Sequence, residues 1–481
     1  MEKKLKRILN SFTIIFLFFI PLFSTVYFHN HLVTLLEIIC IFVMFIATII
    51  LYKESRSKLK YLLLYMFIVF TYIIISYIRS KYFVSLVPGN FHYSIISECL
   101  TILKLITPVI FLYSLYYQKI DKKKYFFIIN IWVILISASI IISNLLELSY
   151  SSYSYKLIDK NIFEWSSTTY YIKSASRGLF MYANQISAIM IMLLLLSVYE
   201  YLYIKKRYLI NIILLVVTML MLGTRISTIG GLLTLTCAFI FYLLLSLFNK
   251  ENIKKETFLL IIPILTFILL IPISPFANRN KELNNVPEPI EKQTIIIDGN
   301  TKKVKKVYNY KVEDTKVDFV YNNYNPNYLP KIFFEKYYPI KYDIDFWYEF
   351  IKTTPIENMN YRLIEKSIIN RVIDVNNKKS DKLFGISNTR IQNIVNLEQD
   401  FVLHYYAFGI IGSIILLITY LVLPVIAVYN FFKRKDYFTF IISTSILLFI
   451  FSSILTGNII NSLNATIPFI FISSGLIYKK E

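Results

Sequence analysis

The stretch NLEQDFVLHYYAFGIIG, residues 396–412, joins two parts of the chain that differ sharply in character. The preceding residues, 275–398, form a polar and charged insert, whereas an apolar run long enough to cross a bilayer follows Asp400. Two carboxylates, Glu398 and Asp400, stand at the junction itself. The sequence therefore predicts a membrane protein with one large hydrophilic loop, and it directs the search for chemistry to the end of that loop.

The rest of the 481-residue chain consists mainly of apolar blocks about 20 residues long. Hydrophobic residues make up 56% of the sequence and the mean hydropathy is +0.57, values well above those of an ordinary soluble domain. Because a bilayer offers the backbone no hydrogen-bond partners, runs of this length are stable only as helices. We therefore predict an all-α, polytopic bundle of transmembrane helices.

Twelve spans are predicted from the apolar blocks, and short basic clusters occupy every second connection between them. By the positive-inside rule these connections and both termini are cytoplasmic, so the insert lies outside. The predicted organisation is nine spans in 1–274, an extracytoplasmic loop in 275–398 and three spans in 399–481. The predicted spans lie near 11–28, 32–52, 61–78, 99–117, 125–146, 182–203, 208–223, 226–248, 257–274, 400–430, 437–455 and 459–478.

The formal net charge of +21 raises the question whether nucleic acid is a partner. Outside the insert, however, the basic residues stand in short clusters between apolar spans, which is typical of topology signals that face anionic lipid headgroups. We therefore expect contacts with membrane lipids and no nucleic-acid partner. The three cysteines, Cys40, Cys99 and Cys237, have no motif spacing and the four histidines are dispersed, so no metal site or cofactor is predicted.

Two arginines on the predicted outer face are candidates for binding an anion. Arg225 stands in MLGTRISTIGG between two apolar runs, where it either snorkels to headgroups or binds an anion from a partly dehydrated site. Arg177 opens SRGLFMYANQISAIM and has the same two interpretations; Gly178 permits a bend there, and Asn184 is predicted to cap the next helix. A guanidinium matches phosphate oxygens bidentately and stays charged, as recognition of a lipid diphosphate requires.

The carboxylates at the junction also have two interpretations. Glu398 and Asp400 either favour the start of the next helix through its dipole or supply a general base near the membrane surface. His404, on the same element, is either a hydrogen-bonded packing residue or a supporting group. Inside the spans, Glu37 and Lys104 stand at similar depth, so they either pair or Lys104 adds to a diphosphate site.

The insert itself divides into two parts. Residues 275–330 are polar and are predicted to form a cap, with a short hairpin around Asp298 and Gly299. Further on, NYRLIEKSIINRVIDV, residues 360–375, has apolar residues at helical spacing. This pattern predicts an amphipathic helix at the membrane surface with Arg362 available to one side.

Four stretches together resemble the O-antigen ligase and polymerase superfamily of bacterial surface-polysaccharide enzymes, over about residues 170–430. SRGLFMYANQISA is similar to that family's loosely spaced Arg-x-x-Gly-x-Phe-x-x-Pro-Asn pattern, and LGTRISTIGGLL resembles its short Ser/Thr-Arg turn. KLFGIS, residues 382–387, resembles the Leu-Phe-Gly-hydrophobic-Gly element late in the large loop. EQDFVLHYYAFGIIG resembles the junction that ends in a Gly-x-x-Gly step, here Gly409 and Gly412.

The chain departs from the family pattern at three places. Ala183 stands where the family usually has proline, and Ser387 replaces the second glycine of the late-loop element. Ligase members carry a histidine at the start of the junction, at the position of Glu398 in this chain. The departure at Glu398 argues against a histidine-based ligase mechanism and favours Glu398 as the base.

The resemblance implies a metal-independent membrane glycosyltransferase of the GT-C type in a bacterial cytoplasmic membrane. Its donor would be an oligosaccharide linked to undecaprenyl diphosphate and its acceptor a glycan hydroxyl. Arg177 and Arg225, with Arg362 as a third candidate, would hold the diphosphate, and Glu398 would accept the acceptor's proton, with Asp400 beside it. Asn184, His404 and Lys104 would support the site. A flippase and a chain-length regulator of polysaccharide assembly are the partner proteins that the resemblance suggests.

Three functions remain open at this point. The first is a repeat-unit polymerase of an O-antigen or capsule type, and the second is a ligase that moves finished glycan to another acceptor. The third, from a different class, is a lipid-linked oligosaccharide flippase or another transporter, which also has about twelve spans but needs no large folded external loop. A dolichol-type glycosyltransferase is disfavoured, because the first outer connection, His29-Asn30-His31, lacks the acidic residues expected there.

Overall fold

The structure, a computed structural model, describes residues 2–167, 170–248, 255–284, 314–324, 329–355 and 360–478. Within them, nine helices are long and apolar enough to cross a membrane, and a tenth span is formed by two helices bent by 47°. Backbone pairing between extended segments is limited, in the same residues, to three isolated bridges. The prediction of an all-α polytopic bundle is therefore confirmed, whereas the hairpin predicted around Asp298 lies outside the described residues.

The helices of the bundle are numbered in chain order, and each of the twelve predicted spans overlaps one of them or, at 400–430, the bent pair. The helices that overlap the predictions at 208–223 and 459–478 are shorter than the 18 or more residues of the other spans. The first nine are α1 (Glu2–Phe23), α2 (His31–Leu51), α3 (Lys53–Ser80), α4 (Ile95–Gln118), α5 (Lys122–Leu145), α6 (Ala183–Tyr203), α7 (Leu209–Leu222), α8 (Ile226–Phe248) and α9 (Lys255–Glu282). The insert contributes α10 (Asp314–Asn323), α11 (Ile344–Thr353), α12 (Tyr361–Asn376), α13 (Asp381–Phe384) and α14 (Asn388–Ile394). The bent pair α15 (Asp400–Leu416) and α16 (Ile418–Arg434), then α17 (Tyr437–Leu455) and α18 (Leu463–Ile477), complete the chain.

Helix α6 forms the centre of the bundle. Its sequence is apolar on every side, and 94% of its most hydrophobic window is buried inside the protein. A helix that is apolar all round is stable only where other helices surround it. The loops at the start of α6, which carry Arg177, are therefore held against the most densely packed part of the protein.

The insert is joined to the bundle where α13 crosses α15. Gly385 and Gly409 both have positive φ, 75° and 66°, and the two backbones touch there. The amide of Ile386 donates to the carbonyl of Tyr406 at 2.9 Å, and that of Ser387 donates to the carbonyl of Ala407 at 3.0 Å. Gly409 interrupts the helical backbone of α15, so the insert supplies hydrogen-bond donors beside the break.

Tyr72 of α3 strengthens the same crossing from the membrane side. Its hydroxyl lies 3.0 Å from the carbonyl of Phe384 and 3.0 Å from the carbonyl of Phe408, and it donates to this pair. A Cβ on Gly412 would lie 2.4 Å from the Tyr72 ring, so only glycine lets the ring approach the helix so closely. The Gly-x-x-Gly step therefore makes room for contacts with both the insert and α3.

Candidate functional site

Arg177 has the most unusual environment of the predicted site residues. Its side chain is 5% exposed, and its guanidinium lies over the rings of Tyr155 and Tyr150, with centroid distances of 5.2 and 5.9 Å. Its Nε and Nη2 atoms donate to no group among the described residues. Burial lowers the pKa of Arg177 from its ordinary value, while Tyr155, Tyr182 and Tyr150 raise it, and a guanidinium remains charged in proteins. A buried cation with unused donors is suited to hold an anion.

The chain fixes Arg177 through its neighbours on both sides. Gly178 has a φ of 64°, and a Cβ at this position would lie 2.9 Å from a side-chain carbon of Ile140. The amide of Arg177 donates to the carbonyl of Tyr150 at 2.9 Å, and that of Ser176 donates to the carbonyl of Met221 at 2.8 Å. The loop is thereby tied to the end of α5 and to the last turn of α7.

Arg225 lies just beyond that last turn of α7 and is exposed. The turn is closed by Gly223, whose carbonyl accepts a hydrogen bond of 2.8 Å from the hydroxyl of Tyr153. The charge of Arg225 is close enough to Tyr153 to affect the pKa of its hydroxyl, and the amide of Ser176 is bonded to Met221 in the turn before Arg225. The turn with Arg225 and the loop with Arg177 therefore lie next to each other.

Arg279 of α9 joins this neighbourhood, although the sequence analysis did not single it out. Its guanidinium lies 4.5 Å from the centroid of the Tyr153 ring, and Nη1 donates to the Tyr153 hydroxyl at 3.1 Å. Its Nε is buried and has no partner within the described ranges. The signal was available in the sequence: Arg279 follows the predicted ninth span by a few residues, on the same predicted face as Arg177 and Arg225.

Glu398 and Arg362 form an ion pair. The Nη2 of Arg362 lies 3.3 Å from an oxygen of Glu398, and the two side chains are 42% and 59% exposed. Among the described residues, no contact joins Arg362 to Arg177 or Arg225. The structure thus brings Arg362 to the carboxylate and not to the other two arginines, and the catalytic role of Glu398 and the diphosphate role of Arg362 stay predictions.

Asp400 is the first residue of α15, and its buried carboxylate contacts the turn between α17 and α18. Its carboxylate accepts hydrogen bonds from the amides of Asn458, Ile459 and Ile460 at 3.0, 2.9 and 2.9 Å. These bonds hold the turn that precedes the last span, which begins at Leu463 and not near 459. The geometry favours an architectural role for Asp400, and a catalytic one finds no support in its contacts.

His404 lies one turn further along α15 and is also buried. Its Nδ1 is hydrogen-bonded to the backbone carbonyl of Asp400. This contact fits the interpretation of His404 as a hydrogen-bonded packing residue.

Asn184 does not cap α6, and that prediction is wrong. The helix begins at Ala183, and Tyr182 is the capping residue, with extended backbone and no side-chain hydrogen bond to the helix. Asn184 therefore lies in the first turn, where its side chain cannot reach back to the amides that a cap must bind. The neighbouring Gln185 makes the notable contact instead, because its Nε2 donates to the carbonyl of Asn458 at 2.7 Å.

Glu37 and Lys104 line one polar cavity of about 190 Å³ between α2, α4, α6 and the turn before α18. In the described part of the chain, no ion pair within 4 Å and no hydrogen bond joins the two side chains, and Oε1 of Glu37 has no hydrogen-bond partner although the residue is only 1% exposed. The predicted pairing is therefore not formed as a direct contact. Carboxamides account for much of the remaining lining: Gln185, Gln392, Asn458, Asn461 and Asn464.

Glu365 of α12 lies close to the ion pair of Arg362 and Glu398, and it was not singled out from the sequence. It is 7% exposed, and one of its oxygens has no partner. Burial, with the nearby charge of Glu398, raises the pKa of Glu365 to about 8, and Arg362 opposes this. The side chain is therefore protonated in the folded protein at neutral pH.

Replacing Glu365 with glutamine should remove a pH dependence of stability. Because its folded pKa exceeds the ordinary 4.5, the folded state holds the proton more tightly, and stability falls as pH rises from about 4.5 to about 8. We expect Glu365→Gln to gain about 2–4 kcal/mol over the native protein at pH 9, and little at pH 4. Thermal unfolding of both proteins in detergent at the two pH values measures this.

The exposed Glu349 of α11 provides the matched control, and Glu349→Gln should leave the pH profile unchanged. Equal pH profiles for the native protein and Glu365→Gln would contradict the expected protonation.

Comparison with known proteins identifies the family of this chain. A family model described as O-antigen ligase like membrane protein matches residues 2–481, which includes the first five spans. No curated protein and no solved structure gives a match. In the described part of the chain, no group of three or more His, Cys, Asp or Glu residues is placed to hold a metal ion.

The match supports a role in membrane glycan assembly and a glycosyltransferase-like enzyme. It also agrees with the apolar helices in pointing to a multi-pass membrane protein. Because the matched residues span nearly the whole chain, the protein belongs to the family of O-antigen ligase like membrane proteins.

Proposed function

We propose that the protein is a polysaccharide repeat-unit polymerase of the bacterial cytoplasmic membrane. It transfers a glycan from undecaprenyl diphosphate to a sugar hydroxyl on the outer face, by metal-independent GT-C chemistry. Both termini are cytoplasmic. The chain consists of transmembrane helices in 1–274, an extracytoplasmic loop in 275–398 and further transmembrane helices in 399–481. A flippase and a chain-length regulator act beside the protein. The observation that carries the proposal is the buried guanidinium of Arg177, whose Nε and Nη2 have no partner in the part of the chain that the structure describes.

The chemistry requires stabilisation of a growing negative charge. As the acceptor oxygen attacks C1 of the donor sugar, the bond from C1 to the diphosphate breaks and its electron pair remains on the diphosphate oxygen. Arg177, whose guanidinium lies over the rings of Tyr150 and Tyr155, stabilises that charge, and Arg225 from the adjoining turn and Arg279 from α9 add positive potential. The leaving diphosphate supplies the driving force, so no nucleotide is needed.

The acceptor's proton needs a base, and Glu398 is our assignment. Its carboxylate is accessible, and Arg362 restricts its position through the 3.3 Å ion pair. Asp400 is less suitable, because backbone amides occupy its oxygens. Glu398 therefore takes the proton, while Asp400 holds the turn against which Glu398 packs: a Cβ on Gly457 would lie 1.2 Å from the Glu398 carbonyl oxygen.

Arg177→Ala tests the proposal directly. We expect normal amounts of protein in the membrane but transfer slowed by about 100- to 1,000-fold, so that surface glycan is reduced to single repeat units. Arg177→Lys should also be impaired, because an ammonium cannot reproduce the bidentate geometry. Gel analysis of surface glycan in a strain that lacks the native copy measures chain length.

Arg207→Ala is the matched control, since Arg207 is exposed beside α7 at the opposite end from Arg225. Long chains made by Arg177→Ala would overturn the proposal. Loss of lipid-linked repeats from the outer leaflet would indicate a transporter instead, and single repeats joined to a different acceptor would indicate a ligase.

A further inference from the structure

We infer that the cavity between Glu37 and Lys104 binds the first sugar ring of the lipid-linked donor. The inference rests on the proposed function and names the part of the substrate that this cavity recognises. It is carried by three observations: the lining of the cavity, two buried oxygens without partners, and the position of the cavity between Arg177 and Glu398.

The lining is suited to a ligand rich in hydroxyl groups. Carboxamides offer both donors and acceptors, and the cavity contains five of them together with Thr34 and Ser462. Drug-sized ligands occupy pockets of roughly 300–1,000 Å³, which are mostly apolar. This cavity is polar and about 190 Å³, so it fits one sugar ring better than a longer glycan or a lipid chain.

Two acceptors at the cavity lack donors. Among the described residues, Oε1 of Glu37 and Oδ1 of Asn464 have no hydrogen-bond partner, and their residues are 1% and 7% exposed. Leaving a buried polar atom unpaired costs about 1–3 kcal/mol, so such atoms favour a ligand that donates to them. Sugar hydroxyls are such donors.

The cavity adjoins both halves of the proposed site. Tyr182 lines it and also interacts with Arg177, while the His29 ring packs edge-on against Tyr182 at 5.3 Å. On the other side, Asn458 lines the cavity, and the adjoining Gly457 touches the backbone of Glu398. A ring held here would have its diphosphate directed toward Arg177 and its C1 accessible from the side of Glu398.

The test measures binding separately from catalysis. Purified protein in nanodiscs is titrated with lipid-linked repeat units extracted from the producing cells, and in parallel with undecaprenyl diphosphate that carries no sugar. The shift in thermal unfolding gives an apparent Kd for each lipid. We expect Gln392→Ala with Asn461→Ala to weaken binding of the sugar-bearing lipid at least about 10-fold and to leave the bare lipid unchanged.

Asn430→Ala is the matched control, because Asn430 is a half-buried carboxamide on α16, away from the cavity, that donates to the helix backbone. Arg177→Ala should weaken binding of both lipids. If the double variant binds both lipids like the native protein, the inference is overturned while the proposed function stands. If neither lipid stabilises the native protein, the proposed function itself fails.

Discussion

Gly385→Ala is expected to prevent the protein from folding in the membrane. A Cβ at this position would lie 2.2 Å from the carbonyl oxygen of Ala407 and 2.4 Å from the amide of Phe408, both of which are backbone atoms that cannot move aside. The φ of +75° adds strain for any residue with a side chain. We expect a loss of more than about 4 kcal/mol, measured as the yield and thermal unfolding of protein extracted in detergent.

Gly89→Ala is the control for this prediction, since a Cβ there meets nothing within 4 Å. Both variants add the same methyl group, but its surroundings differ, and of the two glycines only Gly385 has a positive φ. A Gly385→Ala protein with the yield and unfolding temperature of Gly89→Ala would show that the backbones at the α13–α15 crossing are not in contact.

Asp400→Ala is expected to destabilise the protein by about 3–5 kcal/mol. The substitution leaves the amides of Asn458, Ile459 and Ile460 buried and without an acceptor, and each such group carries a desolvation cost of about 1–3 kcal/mol. Thermal unfolding in detergent measures the loss. The stability of Asp400→Asn should lie between that of the native protein and that of Asp400→Ala, because an amide offers one acceptor oxygen where the carboxylate offers two.

Glu398→Gln separates stability from catalysis at the same junction. Glu398 is half-exposed and its ion pair is long, so we expect a change in stability below about 1 kcal/mol. Transfer should nevertheless fall by about 100- to 10,000-fold if Glu398 is the base. Normal chain length with Glu398→Gln would remove its catalytic assignment, and an unfolding temperature as low as that of Asp400→Ala would show that both acids are structural.

The shared location of Arg177 and Arg225 at one end of the bundle could be predicted because it depends on topology. Arg177 and Arg225 stand at the ends of neighbouring spans, and the alternation of basic connections assigns both to one face. Arg362 could not be assigned in the same way, since it belongs to a helix of the insert whose orientation depends on packing. Its contact with Glu398 spans 36 residues, and no local pattern indicates it.

The departures from the family pattern are easier to understand with the structure. Ala183 is the first residue of α6, a position at which proline is favoured but any good helix former is accepted. Ser387 retains the conformation expected of the glycine it replaces, with a φ of 86°, and its side chain accepts a hydrogen bond of 3.3 Å from the amide of Arg390. The sequence shows that these residues differ from the family pattern, and the structure shows that Ser387 adopts a backbone conformation that favours glycine.

The roles of Asp400 and Asn184 show the limit of reasoning from local sequence. An acid at the start of a helix is favoured by the dipole, and that argument holds wherever the carboxylate points. Its actual partners come from residues 458–460, which are far away in sequence. Asn184 failed as a cap because the helix starts at Ala183, two residues earlier than a cap at Asn184 requires, and a cap must lie outside the helix.

The break at Gly409 has a consequence for attempts to divide the protein. The amides of Ile386 and Ser387 are bound to carbonyls of α15 beside the break, so excising the hydrophilic segment would leave those carbonyls facing hydrocarbon. Conversely, that segment expressed alone would lose the partners that orient its last two short helices. Deletion or soluble expression of either part is therefore a poor route to simpler samples, and the two are best produced together.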